Sequence, residues 1–327
     1  MNLLRSILMI LCIAAILFAQ ENSPEVLTHT FSIVAMDPET GDFGVAVQSH
    51  WFSVGTTVSW AEAGVGAVAT QSLVNVSFGP EGLRLLREGK TATQVLDILI
   101  SGDEGKDFRQ LAIIDKNGQV AAFTGEKCIA DAGHIIGKHY SVQANMMLND
   151  RVWKAMSDAH EASSAPLPER LVTALQAAQA TGGDIRGQQS AALLVVRGQA
   201  TGKSWEDRLV DLRVEDHPDA VNEIARLLQI HRAYEHMNRG DLAIEQGDEA
   251  AALAEYGAAE KLFPENLEMK YWHAVSLVNI GELEKALPLF RTVFRADSNW
   301  VELTRRIVIN GLLIVSPAEL NRIVSQK

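Results

Sequence analysis

The residue whose type and place point most directly to chemistry is Thr30, near the head of the stretch "THTFSIVAMDPETGDFGVAVQSH". A threonine hydroxyl is a weak nucleophile until a base takes its proton. A threonine that begins a chain carries such a base in its own α-amine, whose pKa of about 7.7–8.0 lies near working pH. The pair would attack a carbonyl with no histidine, provided the His29-Thr30 bond has been broken. Processing close by is expected. Arg5, the apolar run Ser6 to Phe18 and the small Ala19 before Gln20 read as a signal peptide over residues 1–19. The apolar run is short for a bilayer and is followed by polar "QENSPE", so an exported chain, periplasmic or secreted, with no stable membrane anchor is expected.

Other constellations carry less. His134 and His139 with Asp131 nearby lack the i, i+4 spacing of a helical ligand pair, and Gly133 and Gly137 suggest a loop, so no metal and no cofactor is expected. Cys128 is the only cysteine left once the signal is removed. It can close no internal disulfide, has no assignable base, and reads as a packing residue. The glycine pairs Gly64/Gly66 and Gly182-Gly183 miss the spacing of phosphate-binding fingerprints. A net charge of −12 with no basic cluster excludes nucleic acid and anionic membrane surfaces as partners.

Two halves with different patterning must position these residues. From Thr30 to about Val214, short β-rich runs alternate with pairs of helical blocks. "TFSIVAM" and "DFGVAVQSH" form a hairpin about "DPETGD", where Asp37-Pro38 starts the turn and Gly41 supplies the permissive backbone. "TTVSW" and "GVGAVATQS" read as a second strand pair. "RQLAIIDKNGQVAAFTG" is a hairpin about Asn117-Gly118, and "YSVQANMM", "QSAALLVVRG" and "DRLVDLRVED" read as further strands. Helices are expected in "PEGLRLLREG", "TATQVLDILISG", "DRVWKAMSDAHEAS" and "LPERLVTALQAAQATGG". The order suggests an α+β fold of two packed antiparallel sheets covered by helices.

From about Ala220 onward the pattern is helical. Gly247 set on Gly281 gives a step of 34 residues, which brings Ala252 onto Ala286 and Tyr256 onto Phe290. A helix-turn-helix period of that length resembles the tetratricopeptide repeat. "WVELTRRIVINGLLIV" and "SPAELNRIV" would cap the stack.

The blocks "TFSIVAMDPETGDFGVAVQSH", "AGVGAVATQSLVN", "FGPEGLRLL", "RQLAIIDKNGQVAAFTGEKC", "AGHIIGKHYSVQANMM", "GGDIRGQQSAALLVV" and "WEDRLVDLRVEDHPD", in that order, resemble the domain of unknown function 1028 family over Thr30 to Leu228. That family is grouped with the N-terminal nucleophile hydrolases. The resemblance implies a four-layer αββα sandwich over residues 30–228, after a signal peptide (1–19) and a linker or propeptide (20–29), with the helical stack at 229–327. It implies hydrolysis of a small amide or peptide-like substrate through Thr30. Gln143 and Asn145 would donate to a developing oxyanion, and Asp184 and Arg186 would orient the amine or a substrate carboxylate. Gln48, Ser49, His50, Gln71 and Ser190 would lie on the substrate side. Gln48 stands where the related proteasome-type pattern has an acidic residue, and the chain has no lysine between Gly41 and Gly89, leaving His50 or Arg186 to supply the charge. The alternative is an exported, non-catalytic ligand-binding or scaffold protein whose repeats recruit a protein partner. A homo-oligomer is compatible with both.

Overall fold

Alternation organises the first half. In "TFSIVAM" the residues Thr30, Ser32, Val34 and Met36 fall on one face of a strand and Phe31, Ile33 and Ala35 on the other. The computed structural model describes residues 26–28 and 30–327. The expected signal peptide (1–19), residues 20–25 and His29 lie outside the described residues. Val26–Thr28, expected to be linker, is a strand, β1. Then come β2 (Thr30–Met36), β3 (Phe43–Ser49), β4 (Ser59–Glu62), β5 (Gly66–Val74), β6 (Arg109–Asp115) and β7 (Val120–Thr124). The remainder are β8 (Gly133–Gly137), β9 (Tyr140–Ala144), β10 (Ser190–Val196) and β11 (Arg208–Val214).

Among the described residues these strands form two antiparallel sheets. One has the order β1-β5-β6-β7, with β4 also pairing β5, and the other runs β11-β10-β3-β2-β9-β8. Val34, Val45 and Val47 of the six-stranded sheet share a buried cluster with Ala67, Ala69, Ala112 and Ile114 of the other, so these faces pack together. The outer face of the five-stranded sheet is covered by helices Phe78–Arg87 and Ala92–Ser101, whose Leu83, Leu86, Val95 and Leu99 pack on Val68, Leu111 and Ile113. Helix Leu167–Ala180 packs on β2 and β3, and helix Val152–Ala162 on β8 and β9. Gly44 makes room for this cover, because a Cβ there would sit 2.4 Å from Leu171 Cδ1.

Three local expectations are corrected. "TTVSW" is not one strand: Val58 N donates to Val54 O (3.1 Å), closing a helical turn over Gly55–Val58 before β4 begins, and the Thr56 and Thr57 hydroxyls add bonds to Ser53 O (2.9 Å) and Val54 O (3.1 Å). The stretch about His134 is not a loop, because Gly133–Gly137 pairs along β9 from Gly133↔Ala144 to Gly137↔Tyr140. "YSVQANMM" leaves strand geometry after Ala144, where Asn145 N turns to Thr30 O and Met146 takes φ of 59°.

The chain divides into two compact units after Val221. The expected boundary after Leu228 falls inside the helix Ala220–Glu245. The second unit is a stack in which helix Glu249–Leu262 packs on Leu267–Asn279, that on Leu283–Ala296, and the last on Asn299–Ile309 and Pro317–Val324. Three of its helix ends share one device. Asp248 N donates to Ala243 O (2.8 Å), Glu282 N to Leu277 O (2.8 Å) and Leu312 N to Ile307 O (3.0 Å), each just after a left-handed glycine, at 247, 281 and 311. The positions 34 residues apart, Ala252 and Ala286, Tyr256 and Phe290, are all buried. Among the described residues no helix is long and apolar enough to cross a membrane.

Candidate functional site

The layer between the sheets changes character along its length. At one end it is Val, Ala and Ile. At the other, positions in the same strand phase turn polar: Thr30 and Ser32 on β2, Gln71 on β5 two residues beyond Ala69, Gln110 on β6 two residues before Ala112, and Ser141 and Gln143 on β9. All six are completely buried, as is Asn145 just past β9. Buried amides and hydroxyls must find partners in one another, and these do so across the two sheets.

Gln110 is the hub. The two N–H groups of its Nε2 serve three acceptors, Thr124 Oγ1 (2.9 Å), Ala144 O (2.9 Å) and Gly133 O (3.2 Å), so one of them is shared. Its Oε1 accepts from Gln71 Nε2 (2.7 Å) and Asn145 Nδ2 (2.9 Å). Gln71 Oε1 accepts from Ser32 Oγ at 2.6 Å, and Ser32 Oγ accepts in turn from Gln143 Nε2 at 2.6 Å. Ser141 Oγ donates to Gln143 Oε1 at 3.0 Å. The network reaches the periphery at His134, whose Nδ1 lies 2.8 Å from Thr124 Oγ1. Burial pushes the His134 pKa down, so the ring is neutral at neutral pH.

Thr30 sits at one edge of this cluster, completely buried. Its carbonyl accepts from Asn145 N (3.1 Å), Gln71 Nε2 (3.2 Å) and Asn145 Nδ2 (3.4 Å). Across the ladder it faces Ser49, and Ser49 faces Ser190 on β10. Alternation puts the Thr30 side chain on the inner face with Ser32. The donors around it are uncharged dipoles fixed by rigid strands, the kind of surround that can stabilise charge developing on a nearby oxygen.

The other expected residues form a second group beyond the same strand ends. Asp184, buried, is held by Arg186 through Nε to Oδ1 (3.0 Å) and Nη2 to Oδ2 (2.7 Å). Its Oδ2 also accepts from His50 N at 3.3 Å, which fastens the Gly182–Gln189 loop to the end of β3. His50 is exposed, with Nδ1 3.4 Å from Gln188 O. Gln48 points to the opposite face of β3 from Ser49. Its Nε2 donates to Gly187 O at 3.4 Å, and its Oε1 is buried without a partner. The hydroxyl of Ser190 is spent on structure, donating to Trp51 O (2.5 Å) and accepting from Val54 N (3.0 Å). Thus Thr30, Ser49, Gln71, Gln143 and Asn145 meet between the sheets, while Gln48 and His50 gather with Asp184 and Arg186 at the 182–189 loop.

Sequence reading missed Ser32, Gln110, Thr124 and the link to His134. The signal was present for Gln110, which, like the anticipated Gln71, interrupts a strand at a position in phase with buried Ala and Ile. His139 is tied to the other hairpin, with Nδ1 3.1 Å from Gly118 O. Cys128 donates its thiol to Arg109 O at 3.3 Å, and burial pushes its pKa up, which keeps it protonated and unreactive.

The family model described as "Family of unknown function (DUF1028)" matches residues 30–224. A crystal structure of a protein from Silicibacter pomeroyi, assigned to the same family model, is 33% identical, with a TM-score of 0.56 over 62% of this chain and 85% of that one. Anbu, the ancestral β-subunit from Yersinia bercovieri, shares 12% identity with a TM-score of 0.31, over 60% of this chain and 92% of its own. Among curated proteins none matches.

Proposed function

We propose, for a chain that belongs to the DUF1028 family of unknown function, that it is an amide-bond hydrolase of the N-terminal nucleophile type, exported, in which Thr30 acts once it has become the chain terminus. The observation that carries this reading is the position of Thr30. It is the first residue of a central strand, completely buried, at the edge of an inter-sheet cluster of uncharged donors. On this reading the two-sheet unit is an αββα sandwich of the N-terminal nucleophile kind, and the helical unit is a tetratricopeptide-like stack.

The chemistry follows from the residues in place. Breaking the His29-Thr30 bond turns an amide nitrogen into an amine with a pKa of about 7.7–8.0. That amine takes the hydroxyl proton as Oγ1 attacks the carbonyl carbon of the substrate. The C–N bond of the tetrahedral intermediate then breaks, the leaving amine carries off the proton, and an ester on Thr30 remains for water to hydrolyse. Asn145 Nδ2, bonded to Gln110 Oε1 and within 3.4 Å of the Thr30 carbonyl, and Gln143 Nε2, bonded to Ser32, are the candidate oxyanion donors, each of which would exchange a present bond for the developing charge. Among the described residues, loss of β1 would remove its three pairs with β5, which keeps its ladder to β6. The second reading, a non-catalytic scaffold, draws on the state of the intact chain, where Thr30 nitrogen is a peptide nitrogen and the amides satisfy one another.

The test compares protein beginning at Thr30 with protein retaining residues 20–29, each challenged with a panel of acylated amines across pH 6 to 9. Turnover confined to the Thr30-terminal form, rising through the amine pKa of about 7.7–8.0 and lost in Thr30→Ala, is expected. Equal inertness of both folded forms favours the scaffold, and equal turnover moves the nucleophile elsewhere.

A further inference from the structure

The helical unit contains a cavity of about 300 Å³, lined by Asp241, Glu245, Tyr256, Trp272, Ser276 and Leu312 among others. Asp241 and Glu245 stand four apart on the last turns of helix Ala220–Glu245 and are exposed at the rim. No lysine or arginine lines the cavity. Among the described residues neither carboxylate is in an ion pair, and Asp241 has only the Tyr256 hydroxyl, which donates to its Oδ1 at 2.6 Å. Like charges at this spacing oppose each other, and the negative end of the helix dipole adds to the same potential.

A second observation points inward. Ser276, on helix Leu267–Asn279, is 2% exposed, lines the cavity, and its Oγ has no hydrogen-bond partner. A buried hydroxyl without a partner is destabilising, so an occupant that bonds to it gains what the empty site forgoes. The remaining walls are apolar or aromatic: Ile244, Trp272, Val275 and Leu312.

We infer that this cavity binds a primary alkylammonium group, seated on Asp241, Glu245 and Ser276 with its hydrocarbon against Trp272 and Leu312. The stoichiometry of bonds fits. An ammonium brings three N–H donors and no acceptor, and the site offers two carboxylates and one hydroxyl oxygen. Indole nearby favours a cation further. The volume lies at the small end of ligand pockets, room for a short chain of about six carbons. The group could be a free amine or the side chain of a lysine, which share this chemistry. The inference is independent of the reading of Thr30.

Ligand-observed NMR titrations of the full chain with hexylammonium, hexanol and hexanoate test it, with Nα-acetyl-lysine amide as a second arm. Hexylammonium or the lysine amide is expected to bind at least about tenfold more tightly than hexanol, with hexanoate not binding, and binding should weaken as salt rises. The tighter of the two cations identifies the source. Asp241→Asn/Glu245→Gln should remove at least about tenfold of the affinity without lowering the melting temperature, since it relieves the repulsion between the two carboxylates. If that double variant misfolds, Ser276→Ala, expected to lose several-fold, takes its place. Equal binding of hexanol and hexylammonium, unchanged affinity in the folded variants, or no binding of either cation at millimolar concentration would overturn the assignment.

Discussion

Replacing Gln110 by leucine perturbs the candidate site at its hub while nearly preserving volume. The wild-type side chain makes five hydrogen bonds that join β6 to β5, β7, β8 and β9. Leucine supplies none. Gln71 Nε2 and Asn145 Nδ2 keep weaker bonds to Thr30 O at 3.2 and 3.4 Å, and Thr124 keeps His134, so these groups are partly compensated. Gly133 O and Ala144 O lose a donor. At about 1–3 kcal/mol for each buried group left poorly paired, Gln110→Leu should cost roughly 2–6 kcal/mol, a large share of a typical stability of about 5–15 kcal/mol. The direct bond to Gln71 makes a sharper statement. Gln71→Leu in the Gln110→Leu background should cost at least about 1 kcal/mol less than it does alone, because its partner is already gone. Urea unfolding of the full chain, read by amide exchange in β5, β6 and β9, separates this unit from the helical one. A single-variant loss below about 0.5 kcal/mol, or additivity within about 0.5 kcal/mol, would mean that the amides are solvated and not a closed network.

Two further outcomes follow from other parts of the same unit. His160 is 6% exposed, against the ring of Tyr140 at 4.7 Å, and burial, with the nearby Arg170 charge as a lesser cause, pushes its pKa down from 6.5 to about 4. The unfolded chain therefore binds the proton more readily. Stability should be full above about pH 6.5 and fall by up to roughly 3 kcal/mol as pH drops toward 4, and a pH series of urea midpoints in which His160→Phe has the same slope would refute the assignment. Gly66→Ala should destabilise by more than about 2 kcal/mol, since its φ is 145° and a Cβ would meet Ile114 O at 2.2 Å. Gly89→Ala, with φ of 89° and nothing within 4 Å, should cost only the backbone strain, about 1–2 kcal/mol. Equal melting temperatures for the two would contradict the packing of β5 on β6.

Much of this architecture was legible because period and punctuation are local. The alternation of "TFSIVAM", the Asn117-Gly118 turn and the helix-ending glycines at 247 and 281 each act within a few residues. What was not legible depends on contacts between distant segments. "TTVSW" looked like a strand by composition, but its first residues lie in a helical turn whose entry is held by distant partners, Ser53 N on Glu215 O and Val54 N on Ser190 Oγ. Gly133–Gly137 looked like a loop because its strand character comes from β9. Gln143 and Asn145 were anticipated near Thr30, yet Ser32 and Gln110, which complete the cluster, are ordinary strand residues until the two sheets face each other. Ser190 illustrates the converse, a polar strand-end residue that tethers the Trp51–Val54 loop.

The claim that Thr30 becomes the nucleophile is tested most directly by mapping where an amide-directed electrophile attaches. Protein beginning at Thr30 and protein beginning at Gln20 should be treated at pH 8, digested, and sequenced by mass spectrometry. One adduct on Thr30 in the first form and none in the second, with Thr30→Ser retaining it and Thr30→Ala losing it, is the predicted result. An adduct on another residue, equal labelling of both forms, or no labelling of the folded Thr30-terminal protein would contradict it.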